Sequence, residues 1–220
     1  MVQNSLGADG EGARPLNRLG GACQYGRAMI RRYLVFLLVV FLAACETPVV
    51  TQTLPELTYG HLSQFTLDVA AINVKTKYLP PMKAPNVEHL FATPPGKALR
   101  RWAADRLTAG GRRGTARFVI IDAAVTETPL KLDKSFTGAF TKQQSRRYEA
   151  TVEVSLEILD DRGFRKGFAN ARVMRSRTLG EDASINDRER MWFDLTEALM
   201  RDFNAELEKN IRQYLGGYLM

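Results

Sequence analysis

Between Tyr148 and Ile158 every second residue is apolar: Tyr148, Ala150, Val152, Val154, Leu156 and Ile158 alternate with Glu149, Thr151, Glu153, Ser155 and Glu157. A period of two puts successive side chains on opposite faces of a strand, so this segment predicts a β-strand with one dry face and one wet face. Asp160-Asp-Arg-Gly163 reads as a turn and Phe164–Arg177 as the returning partner. Pairing Leu159 with Phe164 would set Glu157 opposite Lys166 and Thr151 opposite Arg172 on the wet side. On the dry side Leu156, Val154 and Val152 would meet Gly167, Ala169 and Ala171. A slip of one residue would carry charges into the core, so the parity of the pairing is strongly constrained. The row of small residues leaves room for a helix to lie close.

The other elements can be read around that hairpin. Phe65–Val74 alternates and then changes phase between Ala71 and Ile72, which predicts one strand with a bulge. Thr93-Pro-Pro95 predicts a helix start, with Thr93 as the cap and proline in the first turn. Leu99, Trp102, Ala103 and Leu107 then share a face, and Gly110-Gly111 should end the helix. Phe118–Ile121, leading into Val125, reads as a strand buried on both faces. Ser184-Ile-Asn-Asp187 offers caps for a last helix whose stripe is Trp192, Leu195, Leu199, Phe203, Leu207, Ile211 and Leu215. Gly216-Gly217 should stop it, and Arg201, Asp202, Glu208, Lys209 and Arg212 form its solvated side. The predicted class is α+β in the order β-α-β-β-β-α: a two-layer sandwich of about four strands in a mixed sheet, covered on one face by two helices. The strand–helix–strand unit should cross over with right-handed sense.

Ahead of this domain lies a segment of another kind. Arg31-Arg32 precedes Tyr33–Ala44, an uncharged apolar run that ends at Cys45. A spanning helix needs about 20 apolar residues and a signal h-region about 7 to 15, so the run belongs to the second class. The arginines keep the start of the segment on the cytoplasmic side, and Ala43 and Ala44 are small enough to admit a peptidase. The other cysteine, Cys23, lies upstream, so no disulfide can staple the domain. Thr47–Pro55 has no helical period and reads as an extended tether.

Leu42-Ala43-Ala44-Cys45 resembles the lipobox of bacterial lipoproteins. The resemblance implies that Cys45 receives a diacylglyceryl thioether and becomes the mature N-terminus, with residues 29–44 as the signal peptide. Several acyl chains, palmitate among them, exceed the single chain at which membrane binding is only marginal. Residues 45–61 are then the lipidated cysteine and tether, and residues 62–220 a periplasmic domain in a Gram-negative cell envelope. Glu46, in place of an aspartate, leans towards the outer membrane in lipoproteins of this kind. The alternative is an uncleaved signal anchor with Cys45 as a buried thiol, for which the run is short. Residues 1–28 suit a signal peptide poorly because Gly7–Ala13 is polar. Met29-Ile-Arg-Arg32 is the expected true start, with 1–28 a mis-assigned start or a disordered extension.

Of the 31 basic and 24 acidic residues, Arg14, Arg18, Arg27, Arg31, Arg32, Asp9 and Glu11 precede Cys45, so the chain from Cys45 onward carries +4 against +7 for the whole. A mildly basic domain with no stacking motif, basic helix or finger spacing is not expected to bind nucleic acid. Groups for catalysis are few. His61 and His89 are the histidines, no pair of ligands recurs at HxH or HxxxH spacing, and no nucleophile elbow, phosphate loop or SxxK motif occurs. No catalytic residue, metal or cofactor is therefore expected, and both histidines read as polar surface. Glu149 and Glu153 stand about 13 to 14 Å apart on a strand, too wide for paired acid–base work. Lys166 and Arg172 are their expected partners. Trp102 and Trp192 fall on apolar stripes and read as core.

Residues 131–147 predict a long basic arm. Lys131, Lys134, Lys142, Arg146 and Arg147 surround Phe136 and Phe140, a set suited to lipid phosphates or an acidic partner. A solvated loop is the alternative. Arg172, Arg175 and Arg177 would extend the patch or balance strand charge.

An α+β domain behind a lipid anchor resembles the auxiliary lipoproteins of ABC-type transport systems, and more loosely the plug lipoprotein of the lipopolysaccharide translocon. The likeness covers residues 62–215 as topology alone. It implies a non-enzymatic accessory subunit that docks on a protein partner in an envelope transport or assembly complex, with the membrane as second partner through Cys45. A lipid- or polysaccharide-binding protein would instead show a groove beside the small-residue strand. An envelope hydrolase would show a polar pocket with a displaced titratable group.

Overall fold

The computed structural model describes residues 54–131 and 143–220. Cys45 with its flanking Leu42, Ala43 and Ala44, and Lys134, Phe136, Phe140 and Lys142 of the arm, lie outside the described residues. In chain order the elements are β1 (Phe65–Leu67), β2 (Ala71–Thr76), α1 (Pro95–Arg106), β3 (Leu107–Ala109), β4 (Thr115–Asp122), β5 (Val125–Pro129), β6 (Gln144–Leu159), β7 (Arg165–Gly180) and α2 (Ile185–Tyr214). The class is α+β with mixed pairing.

The main sheet has five strands, against about four expected from turn and period alone. β6 is its spine. β7 pairs antiparallel along the whole of β6, while β4 and β5 pair antiparallel with its C-terminal and N-terminal halves on the other side. β2 lies outside β4 and runs parallel to it, as a connection through α1 allows. The even-numbered residues of β6 from Tyr148 to Ile158 are all buried, so the alternation read from the sequence holds. Both helices cover that face. Trp102 of α1 stacks on Phe118 of β4 at 5.7 Å and meets Phe203 of α2 edge-on at 5.4 Å. Its indole N–H donates to Asn204 Oδ1 at 2.8 Å. Trp192 stacks on Phe91 at 4.6 Å and meets Tyr148 edge-on at 5.8 Å. Both tryptophans are core, as their stripes predicted.

Four local readings need correction. The single strand expected over Phe65–Val74 is two: β1 pairs with β3 in a separate two-stranded sheet, and only β2 joins the main one. What looked like a bulge is a change of sheet. The helix expected to reach Gly110 ends at Arg106, and Leu107 turns its apolar side chain into the core from a strand. Its N-cap is Pro94, with no side-chain cap, so Thr93 does not play that part. Third, the hairpin register is two residues from the expected one: Leu156 faces Ala169, Val154 faces Ala171 and Glu153 faces Arg172. A slip of two keeps every side chain on its face, so burial could not reveal it. The turn decides it: Asp160 Oδ1 accepts the N–H groups of Arg162 and Phe164 at 3.0 and 2.9 Å, Gly163 takes φ 84°, and the ladder shifts between Ile158 and Leu159. Finally, the packed body starts before residue 62. Tyr59 is buried and its N–H donates to Asp105 Oδ2 at 2.8 Å.

The capping box at Ser184 and Asp187 is present, and the seven predicted stripe residues of the last helix and its end are buried. Gly110 and Gly111 have a different duty from stopping a helix. Their N–H groups donate to the carbonyls of Leu67 and Val69 at 2.9 and 3.0 Å, where the chain leaves one sheet for the other. A Cβ on Gly111 would stand 2.6 Å from backbone atoms of Asp68 and Val69. Gly111→Ala should therefore destabilise the fold by about 1–3 kcal/mol, while Gly216→Ala, which meets open space, should stay within about 0.5 kcal/mol. Urea unfolding of the two variants checks this, and equal midpoints would refute the close-approach argument.

Candidate functional site

The last residues of the expected basic arm, from Gln144 on, belong to β6. Arg146 and Arg147 belong to β6 and are ion-paired, Arg146 to Glu127 at 2.6 Å and Arg147 to Glu149 at 3.2 Å. Lys131 is exposed just past β5. The expected extension of the patch is also partly engaged: Arg172 lies 3.7 Å from Glu153, and Arg175 pairs with Asp202 of α2. Glu157 takes Arg117 at 2.6 Å and Arg165 at 3.4 Å, whereas Lys166 turns to Asp160 at 3.3 Å. The register shift explains the exchange, because Glu157 now faces Phe168.

The structure brings together a set of residues that the sequence did not single out. Among the described residues β7 pairs only with β6, and along its other edge a groove of about 930 Å³ opens against the C-terminal half of α2. Arg165, Lys166, Gly167, Phe168 and Asn170 line one wall, and Glu206, Lys209, Asn210, Gln213 and Tyr214 the other. Gly167 and Ala169 let the helix come close: a Cβ on Gly167 would stand 2.9 Å from Leu215 Cδ2. The aromatic rings of Phe168 and Tyr214 are about half exposed, and the Arg165 guanidinium sits 4.6 Å over the Phe168 ring. Asn210 Nδ2 donates to the edge carbonyl of Asn170 at 2.7 Å and to Glu206 Oε1 at 3.0 Å. Exposed rings, amides and cations suit a polar ligand with an anionic group, such as a saccharide or a lipid head. Lys209 is exposed, as the solvated helix face predicts, and it also lines the groove, of which periodicity alone carries no sign.

Among the described residues two charged side chains are buried, and no local pattern signals either. Arg106, the last residue of α1, donates to the Ser63 carbonyl and to Glu208 Oε2 at 2.8 Å, so Glu208 is not simply solvated. Burial lowers its pKa and the Glu208 charge opposes that. Glu88 accepts from the Tyr78 hydroxyl at 2.6 Å and from the Val125 N–H at 3.1 Å. Burial first, then the bond to Glu88, pushes the Tyr78 phenol well above its usual range. His61 is exposed and His89 half-buried. Among the described residues no cluster of His, Cys, Asp and Glu has the shape of a metal site.

No protein-family model matches the chain, and no curated protein is significantly similar to it. Among solved structures, a minor lipoprotein from Acinetobacter baumannii superposes with a TM-score of 0.33 at 12% identity, covering 66% of this chain and 92% of that one. A score at that level is too loose to assign a fold family or a function.

Three carboxyls are held low. Asp160 is lowered chiefly by the Phe164 N–H, Asp187 by the Ser184 hydroxyl and Asp202 by Arg175. A carboxyl lower in the folded than in the unfolded chain stabilises above the unfolded value and loses that contribution as pH falls through the folded one. Stability should thus drop below about pH 4, and Asp202→Asn should weaken the drop. Urea midpoints measured down through this range test it; a flat profile would contradict the pairing.

Proposed function

We propose that this chain is a lipid-anchored envelope protein that serves as a non-enzymatic accessory subunit of a transport or assembly complex. The observation that carries the anchor is the order Arg31-Arg32, apolar run, Leu42-Ala43-Ala44-Cys45. Among the described residues no helix is long and apolar enough to cross a membrane. In this reading attachment comes from acyl chains on Cys45, and Glu46 favours the outer membrane, with the domain facing the periplasm. The subunit role draws support from the long outer edge of β7, which pairs with β6 alone among the described residues and offers a partner backbone hydrogen bonds.

A second reading, a lipid- or polysaccharide-binding envelope protein, is favoured by the groove between β7 and α2. It lies beside the small-residue strand, where that reading required it. The hydrolase reading has no observation in its favour.

Replacing Cys45 by Ser should leave the chain unprocessed and without acyl mass. Fractionation and intact mass of the two forms decide it: a variant of normal processed size in the membrane pellet would sink the anchor. Crosslinking the acylated protein in intact cells should give one recurring partner; capture of abundant envelope proteins alone would count against the subunit role. Recovery of a bound glycan or lipid that is lost in Phe168→Ala and Tyr214→Ala would favour the second reading.

A further inference from the structure

Between β2 and the turn Glu88–Leu90 the chain makes an excursion whose tip is apolar and turned outward. Leu79 is 83% exposed and Met82 64%, on either side of Pro80-Pro81. The tip is held out by a built frame. Lys77 N–H donates to the Ile120 carbonyl at 2.8 Å, and the returning chain pairs with β5 through Val87 N–H to Val125 at 2.9 Å and Glu127 N–H to Pro85 at 2.8 Å. At the base, Tyr78 donates to Glu88, which is 2% exposed and has no cationic partner among the described residues. Met82 adopts φ 57°, a left-handed conformation that a non-glycine residue keeps only when its surroundings impose it.

The setting of the tip favours one kind of occupant. Lys75, Lys77 and Lys83 flank it, all exposed and none ion-paired among the described residues. Leu54, where the described chain begins, lines a hollow of about 370 Å³ together with Leu90, Phe91 and Trp192. The tether therefore joins the domain beside the segment that carries the tip. From Cys45 to Leu54 the chain can span at most on the order of 30 Å, so acyl chains on Cys45 would leave the tip within reach of their bilayer. Two side chains and two prolines offer far less than the roughly 800 Å² per partner of a specific protein interface. A bilayer asks for no such complementarity, and lysines around a greasy tip suit anionic headgroups.

We propose that the Leu79–Met82 tip with Lys75, Lys77 and Lys83 is a second membrane contact, seated on an anionic phospholipid surface. The nearness of that surface rests on the lipid-anchor reading. The test uses the full acylated chain with Leu79→Cys carrying an environment-sensitive fluorophore, reconstituted into vesicles of phosphatidylglycerol and phosphatidylethanolamine. The expected result is a blue shift and several-fold protection from an aqueous quencher, both reduced when phosphatidylglycerol is left out or the three lysines become Gln. A label at Arg162→Cys, in the β6–β7 turn, should stay in water. A wet label on protein that floats with the vesicles overturns the contact while leaving the anchor standing. A shift that needs added envelope proteins, or that rises with protein concentration without vesicles, also overturns it, in favour of a protein partner or a second copy. If Cys45 carries no acyl mass, the anchor reading falls; a shift that persists then supports the tip on its own, and its absence removes both.

Discussion

One buried arginine joins the parts of this domain that the sheet alone would leave apart. Arg106 closes α1, reaches the Ser63 carbonyl ahead of β1 and meets Glu208 on α2, with its guanidinium 4.7 Å over the Phe65 ring and 5.8 Å from Trp102. Such a charge is tolerable in the core only while its partners stay in place, since removing one strands the other in a poor solvent. The clasp thus makes the packing of both helices conditional on the N-terminal segment being seated. Trp102, one turn earlier, fills the space between Phe118 and Phe203 and spends its N–H on Asn204. An aromatic of that size with a satisfied polar edge allows little variation in how the helices lie on the sheet.

With one face of the sheet dry and helix-covered, two margins of the described domain still offer contacts. The free edge of β7 and the overhang of α2 make the groove, while the excursion around Leu79 and Met82 makes an apolar tip. The two features draw on different chemistry. The groove presents amides, rings and cations in an open channel, whereas the tip presents grease on a fixed stem.

How far the fold was legible depended on whether a residue's role was set by its neighbours in sequence. The β6 alternation, the Ser184–Asp187 box and the stripe from Trp192 to Leu215 are local patterns, and all are seen in the structure. The register of the hairpin was not legible, because a slip of two residues preserves every face and only the hydrogen bonds of Asp160 decide between the alternatives. The split of β1 from β2 was hidden for a similar reason: alternation says which way a side chain points and nothing about which sheet it joins. Arg146 and Arg147 looked like part of an arm because their charge hid the strand whose partners, Glu127 and Glu149, neutralise them.

The candidate sites divide along the same line. A lipidation signal of the kind that Leu42-Ala43-Ala44-Cys45 resembles would be read from a linear stretch of chain, so the resemblance is legible without a fold. The groove and the outward tip exist only because β7 and α2, or Tyr78 and Glu88, are brought together across the fold. Periodicity and motif are properties of neighbours along the chain, and they set faces and caps. Edges, clefts and buried charges arise from contacts between distant segments, whose energies depend on burial and geometry that no local pattern encodes.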